Sequence, residues 1–130
     1  MKPLRVAVGA IERDGRFFLQ RRSAAARRFP GLWEFPGGKV EAFETPAEAL
    51  VRELAEEIEW VPDALAPLPV IHYAYPGLQL DLCPFLCHGP GRPATALAWA
   101  WFTAAELAFL PMPEANRHLL PLLERRENRR

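Results

Sequence analysis

The stretch of residues 37–60 constrains this chain more than any other, because it holds seven carboxylates within one turn and one helix. Residues 45–48, Thr-Pro-Ala-Glu, form a capping box with proline at the first helical position, which predicts a helix that begins after Thr45. At about 100° per residue, one face of this helix is apolar and the other acidic. The apolar face holds Ala47, Leu50, Val51, Leu54 and Ile58, and the acidic face holds Glu53, Glu56 and Glu57.

The acidic face of this helix predicts a metal site. Its three carboxylates lie on adjacent turns and repel one another, and the only nearby base on the helix is Arg52, placed to pair with Glu56 four residues on. The remaining negative charge calls for a cation, and hard oxygen ligands suit Mg²⁺, or Mn²⁺ in its place. The preceding pair Gly37-Gly38 allows the backbone to turn tightly beside that metal or a phosphate.

The spacing of these residues resembles the signature box of the Nudix hydrolases, which here spans residues 38–60. Five residues separate Gly38 from Glu44, and seven more lead to the run Arg-Glu-Leu-Ala-Glu-Glu at 52–57. Glu59 and Phe43 depart from the pattern, because both stand where relatives usually have glycine. Losing a helix-capping glycine should cost about 1 kcal/mol without removing the chemistry. The segment WEFPGGK at 33–39 resembles the MutT branch of the family.

The whole chain predicts one globular domain over residues 1–130, with 50% hydrophobic residues and 16 basic residues balancing 16 acidic ones. Balanced charge provides no basic field for long nucleic acid, and no apolar run of ~20 residues is present to cross a membrane. A small-molecule substrate is therefore favoured. The N-terminus does not resemble a signal peptide, so we expect a cytoplasmic protein, either a monomer or a homodimer.

The predicted fold class is α/β. Two β-hairpins are predicted from apolar stretches around turn signals: residues 5–11 with 17–19, and residues 70–75 with 78–87. Residues 63–69 predict an irregular connection, and Pro84 predicts a strand edge or bulge. Short strands with a helix on each side match an α/β/α sandwich with a mixed sheet, and the Nudix resemblance implies the same fold. Cys83 and Cys87 are interpreted as reduced core thiols.

The resemblance implies roles for the box residues. Glu56 and Glu57 would bind the metal directly, with the Gly37 carbonyl as a backbone ligand. Glu53 would be the general base and share in ligation. Arg52 would orient Glu56, and Glu44 would hold the loop or a second metal through water. Many relatives supply another acid before the last strand, but residues 88–102 contain none, so the box must act alone or Asp81 or Glu34 must reach in.

Substrate recognition is predicted from the MutT-like positions Arg22, Glu34, Phe35, Lys39 and Asn116. Arg22 occupies the place of an arginine that contacts the nucleobase in such relatives, while a solvated Lys39 is as consistent with the sequence as one that touches phosphate. Asn116 offers a donor and an acceptor to a purine edge, or else it caps the following helix. Phe35, or a strand residue near Phe85, would pack on the base, although Trp33 and Phe35 also suit the core.

The leading hypothesis is a Mg²⁺-dependent pyrophosphohydrolase that converts 8-oxo-dGTP or a related nucleotide to its monophosphate and pyrophosphate, a DNA-repair activity. A pyrimidine triphosphate such as modified dCTP is the alternative substrate within the class. A non-catalytic Nudix-like module that recognises damaged bases is the alternative outside it. Such modules commonly lose box carboxylates, whereas this box retains Glu44, Glu53, Glu56 and Glu57.

Overall fold

The computed structural model describes residues 2–128. Along these residues the elements follow in the order β1 (Leu4–Arg13), β2 (Arg16–Arg21), β3 (Trp33–Glu34), β4 (Gly37–Lys39), α1 (Pro46–Ile58), β5 (Ala64–Pro67), β6 (Ile71–Tyr75), β7 (Leu78–His88), β8 (Trp99–Thr103), α2 (Ala104–Leu107), α3 (Glu114–Arg117) and α4 (Leu120–Asn128). Both predicted hairpins are confirmed, as β1 with β2 and β6 with β7. That residues 1–130 form one domain stays a prediction.

The sheet is mixed, as expected. Strand β1 pairs in parallel with β7 and antiparallel with β2 and β4. Strand β2 continues to β3 and β8, and β7 continues to β5 and β6, all antiparallel. The glycine turn of β4 and the start of α1 are thereby placed against the central strand β1.

Two hydrophobic clusters lie on opposite faces of β1, because successive side chains of a strand point to opposite sides. Ala7 and Ile11 join the buried face of α1 in one cluster. Val8 and Ala10 join residues of α2, α3 and α4 in the other cluster, with Leu120 and Leu123 from α4. Helices therefore cover both faces of the sheet, which confirms the α/β/α sandwich.

Helix α1 begins as its capping box predicts. Thr45 Oγ1 accepts a hydrogen bond from the Glu48 N–H at 3.1 Å, and the Glu48 carboxylate accepts one from the Thr45 N–H at 2.8 Å. The buried residues of the helix are Ala49, Leu50, Leu54 and Ile58. The placement of Val51 on the packed face was wrong, because its side chain is 37% exposed and Ala49 takes the interior position.

The two departures from the Nudix box both lie in left-handed backbone. Glu59 ends α1 at φ 49° and ψ 44°, and Phe43 has φ 70° with a fully exposed side chain. Glycine adopts this conformation without steric cost, whereas other residues do so at a penalty. The chain retains the backbone shape of the box at both positions and gives up some stability there.

Two predictions around β7 were wrong. Residues 63–69 contain β5, which lacks a strand-like sequence and is defined by its pairing with β7 through Leu65 and Cys87. Pro84 lies in a central strand, opposite Val8. On the other edge of β7, Pro84 falls where the partner strand changes from β6 to β5, so its missing N–H interrupts no continuous ladder there. Its carbonyl oxygen on that edge accepts a hydrogen bond from the Leu68 N–H at 2.9 Å.

Cys83 and Cys87 are buried and unpaired, as predicted for core thiols. Over residues 2–128, no helix has the length and apolar character needed to cross a membrane.

Candidate active site

The glycine turn places backbone against two neighbours that leave no room for a side chain. A Cβ on Gly37 would overlap the Ala7 carbonyl oxygen in β1, and one on Gly38 would overlap the Glu53 carboxylate from α1. Gly37 also has a positive φ of 154°. Strand β4 therefore lies directly under the Glu53 carboxylate of α1.

Arg52 is the centre of a network that ties α1 to the preceding loop. Its guanidinium contacts Glu44 at 2.6 Å, Glu53 at 2.9 Å and Glu56 at 3.4 Å, and it donates to the Lys39 carbonyl at 3.1 Å. Hydrogen bonds from Arg52 and from the Glu41 N–H lower the pKa of the Glu44 carboxyl. The predicted pairing of Arg52 with Glu56 is present, but Glu44 and Glu53 are its closer partners.

Glu44 links the loop to α1 through its side-chain contacts. Its Oε1 accepts from the Glu41 N–H at 2.7 Å while both oxygens meet Arg52. The sequence spacing of eight residues between Glu44 and Arg52 gave no helical reason to pair them. Only the turn at Phe43 brings the loop back to the helix.

Glu57 is the most perturbed carboxyl of the site. Burial raises its pKa to about 7, and the nearby charges of Glu34 and Glu53 act in the same direction. Two donors hold the ionised form, the Nε2 of Gln20 and the N–H of Gly37. Sequence reasoning missed Gln20, although it directly follows the apolar run at residues 17–19 of β2, where a polar residue is a signal of a buried contact.

Glu34 lies beside this carboxylate, whereas Asp81 does not. Burial raises the Glu34 pKa, against the opposing charge of Arg22, whose Nη1 lies 3.2 Å from its Oε1. Arg22 is itself anchored by its Nε, which donates to the Arg28 carbonyl at 2.7 Å. The Asp81 Oδ1 accepts a hydrogen bond from the His72 Nδ1 at 2.6 Å, and Asp81 lines a separate cavity, so the suggestion that it reaches the box was wrong.

A cavity of about 350 Å³ opens beside Glu57 and brings together every predicted substrate-binding residue. These residues are Arg22, Glu34, Phe35, Lys39 and Asn116. Its floor is aliphatic, formed by Val6, Val8 and Leu82 among others. The cavity thus combines apolar walls for a ring with polar side chains and a box carboxylate.

Asn116 does not cap a helix, so that interpretation was wrong. It lies inside α3, and α4 begins only at Leu120. Its Oδ1 instead accepts a buried hydrogen bond of 3.1 Å from the Phe35 N–H. The acceptor end of the amide is therefore engaged by the protein, and the NH₂ group is the part left to meet a ligand.

Phe85 itself lies in the hydrophobic cluster under α1 on the other face of the sheet, whereas Leu80 and Leu82, near it on β7, line the cavity. The aromatic residues at the cavity are Phe35, which was predicted, and Phe29 and Tyr75, which were not. The rings of Phe29 and Tyr75 lie 5.1 Å apart, and the Tyr75 hydroxyl accepts from the Ala115 N–H at 2.8 Å. Sequence reasoning missed Phe29 and Tyr75, since they come from a loop and a distant hairpin.

The carboxylates of the box suit a divalent cation by their chemistry. In the part of the chain that the structure describes, no three acidic, histidine or cysteine side chains already stand together as a metal site. Arg52 draws Glu53 and Glu56 towards itself, and Glu56 is 62% exposed. Yet Glu57 is held in a desolvated place beside two other carboxyls, and oxygen ligands in excess of local positive charge are what Mg²⁺ and Mn²⁺ prefer.

Comparison with known proteins agrees with this arrangement. The NUDIX domain model matches residues 2–123. The chain belongs to the Nudix hydrolase family. An 8-oxo-dGTP diphosphatase of Escherichia coli (strain K12) is 34% identical to this Nudix hydrolase over 129 residues, which cover 96% of this chain and 99% of that protein. A CTP pyrophosphohydrolase of the same organism is 52% identical over 58 residues, covering 45% of this chain and 42% of that one.

Solved structures give the same result. A MutT Nudix hydrolase from Burkholderia pseudomallei superposes on this Nudix hydrolase with a TM-score of 0.82 at 29% identity, covering 93% of this chain and 98% of that one. The E. coli ORF135 protein superposes with a TM-score of 0.76 at 34% identity, covering 95% and 88%. These neighbours place the chain among MutT-type Nudix hydrolases, a family of divalent-metal-dependent enzymes.

Proposed function

We propose that this Nudix hydrolase is a Mg²⁺-dependent pyrophosphohydrolase that converts 8-oxo-dGTP or a closely related nucleoside triphosphate to the monophosphate and pyrophosphate. Its near-full-length relative with 8-oxo-dGTP diphosphatase activity supports the substrate class. The cytoplasm, where free nucleotides occur, remains the predicted compartment. The oligomeric state, monomer or homodimer, also stays a prediction.

One observation carries the proposal: a single cavity joins the predicted base-recognition residues to the box carboxylate Glu57. Arg22 and Asn116 lie at the same cavity as Gly37 and Glu57. A nucleoside bound in the aliphatic part would direct its phosphates towards the carboxylates of α1. Because phosphoryl transfer depends on positioning and charge neutralisation more than on covalent chemistry, this juxtaposition suits the reaction.

The acidic residues of α1 would hold the metal and move the proton. Glu56 and Glu57, with the Gly37 carbonyl, are assigned to metal binding, and a bound divalent cation supplies charge neutralisation and water activation. Glu53 is assigned as general base. Arg52 binds its Oε1 at 2.9 Å, so we assign the incoming proton to Oε2. The Arg52 contact also orients the Glu53 carboxylate against the Gly38 backbone.

The remaining residues would bind and orient the nucleotide. The NH₂ group of Asn116 is assigned to a carbonyl oxygen on the purine edge, since its Oδ1 is engaged by Phe35. Arg22 and Glu34 form a second polar pair at the cavity, and Phe35 supplies part of its apolar wall. Lys39 lies at the cavity rim, exposed, where we assign it to phosphate.

A nucleotide panel with Mg²⁺ tests the proposal by following pyrophosphate and orthophosphate separately. We expect pyrophosphate release from 8-oxo-dGTP well above that from dGTP and dCTP. The Glu53→Gln variant is the matched control for contaminating phosphatases. Orthophosphate as the first product, or no turnover of any nucleotide, would contradict the proposal.

A pyrimidine triphosphate is the second candidate substrate, favoured by the 52% identity to a CTP pyrophosphohydrolase over 58 residues. That match covers less than half of either chain, whereas the match to the 8-oxo-dGTP diphosphatase covers nearly all of both. Preferred turnover of dCTP or a modified dCTP in the same panel would select this candidate. A non-catalytic module is disfavoured, because Arg52 joins the three box carboxylates Glu44, Glu53 and Glu56 in one network, and the fourth, Glu57, lines the cavity.

A further inference from the structure

Gln20 is a polar side chain whose burial is unexplained by packing. It lies in β2 with 0% of its surface exposed. Its Nε2 donates to the Glu57 carboxylate, and among the described residues no donor reaches its Oε1. Burying an amide oxygen without a protein partner disfavours the folded state. An apolar residue of similar length, such as methionine, would fill the same space without that penalty.

The sheet holds the Gln20 amide in a defined place. Gln20 lies opposite Glu34 of β3 and opposite Trp99 of β8, so β2 is paired on both sides at this position. Glu57 lies in the last turn of α1. The hydrogen bond from Gln20 therefore connects the carboxylate of a helical side chain to a strand inside the sheet. A second donor, the Gly37 N–H of β4, approaches the same carboxylate.

Two donors from two strands fix the orientation of one carboxylate. A glutamate side chain has three rotatable torsions and loses conformational entropy when it is held in one arrangement. A carboxylate that is already oriented does not lose that freedom when a cation binds. Some groups orient a metal-binding side chain without touching the metal, and their mutation commonly lowers metal affinity on the order of 10–100-fold. We expect an effect of similar size when Gln20 is replaced.

We propose that Gln20 is a positioning residue that holds the Glu57 carboxylate in place for a divalent cation. The inference rests on the proposed function, because it takes Glu57 as a metal ligand. Gln20 does not touch the substrate or the reacting atoms; it acts through Glu57.

The test compares Gln20→Met with wild type by Mn²⁺ binding to the nucleotide-free protein, measured by electron paramagnetic resonance and calorimetry. We expect Mn²⁺ affinity to fall about 10-fold or more, with a melting temperature equal to or above that of wild type. At raised metal concentration, kcat should recover while KM for the nucleotide stays unchanged. Gln79→Met is the matched control, because Gln79 is exposed on β7 and its replacement should leave Mn²⁺ affinity unchanged.

Glu57→Gln separates this inference from the proposed function. If Glu57→Gln weakens Mn²⁺ binding and Gln20→Met does not, Gln20 has no positioning role while the metal-site assignment stands. If Glu57→Gln also binds Mn²⁺ like wild type, both the assignment and the inference are overturned. Gln20→Leu is measured alongside in case the methionine variant does not fold. Lower melting temperatures with unchanged Mn²⁺ affinity in the folded variants would show a purely structural role and overturn the inference.

Discussion

Asn116 provides the most direct test of how this enzyme reads its substrate, because its two ends have different assigned tasks. Its Oδ1 accepts from the buried Phe35 N–H at 3.1 Å, and its NH₂ group is assigned to the base. Asn116→Ala removes both interactions. Asn116→Asp retains an acceptor for Phe35 and removes only the NH₂ donor, so the pair of variants separates stability from recognition.

The magnitudes follow from the burial of this hydrogen bond. Leaving the Phe35 N–H without a partner costs about 1–3 kcal/mol, so Asn116→Ala should lower the melting temperature by about 3–12 °C. A similar loss at the base edge corresponds to a fall of about 5–150-fold in kcat/KM for the oxidised guanine nucleotide. We expect Asn116→Asp to lose less stability than Asn116→Ala while losing the same preference.

The assay measures kcat/KM for 8-oxo-dGTP and for dCTP on the same preparations, together with thermal melting. The ratio of the two specificity constants is the informative quantity, because repulsion between a new carboxylate and phosphate weakens both nucleotides alike. If both variants keep the wild-type ratio, Asn116 does not read the base. The case for oxidised guanine over other nucleotides would then rest on the relatives alone.

The other predictions concern α1. Glu53→Gln should lower kcat by at least ~10² with melting unchanged, since general-base contributions run to about 10²–10⁴; wild-type turnover would move the base elsewhere. Glu57→Gln should raise the Mg²⁺ concentration needed for half-maximal activity, and an unchanged metal titration would contradict the ligand assignment. Because the Glu57 pKa is raised from 4.5 to about 7 in the folded state, the folded protein keeps the proton on Glu57 between these pH values, where the unfolded chain has lost it. Without metal, the unfolding free energy of wild type relative to Glu57→Gln should therefore fall as pH rises from about 4.5 to 7, by up to ~3 kcal/mol, as measured by urea denaturation. Glu59→Gly should raise stability by about 1 kcal/mol in the same assay, because glycine relieves the left-handed backbone at the end of α1; no gain would show that Glu59 is unstrained.

Local patterns predicted the helix and hairpins correctly because the relevant forces are local. The capping box at Thr45 satisfies backbone groups within one turn, and the turn at Asp14 and Gly15 joins strands adjacent in sequence. Strand β5 was missed because its stability comes from pairing with β7, some twenty residues further on, rather than from its own composition. Val51 was misplaced because the apolar stripe of α1 is narrower than the sequence pattern suggested.

The site shows the same division between local and distant information. Spacing along α1 was enough to bring Glu53, Glu56 and Glu57 to one side, since helical geometry alone determines it. No spacing rule connects Gln20 to Glu57, and no rule sends the Asn116 amide to the Phe35 backbone. Those contacts depend on how the sheet, α1 and α3 are placed relative to one another, which the sequence does not state locally.

The parallel pairing of β1 with β7 has a consequence for synthesis on the ribosome. Strand β1 ends at Arg13, but its partner is complete only at His88, 75 residues later. At about 5–20 residues per second, that interval lasts about 4–15 s, during which one edge of β1 has no strand to pair with its backbone N–H and C=O groups. The early hairpin pairs β2 with the opposite edge of β1, at Glu12 and Arg13, and leaves this edge open. The nascent chain therefore exposes an unpaired strand edge for seconds, and in this period that edge is open to pairing with another chain.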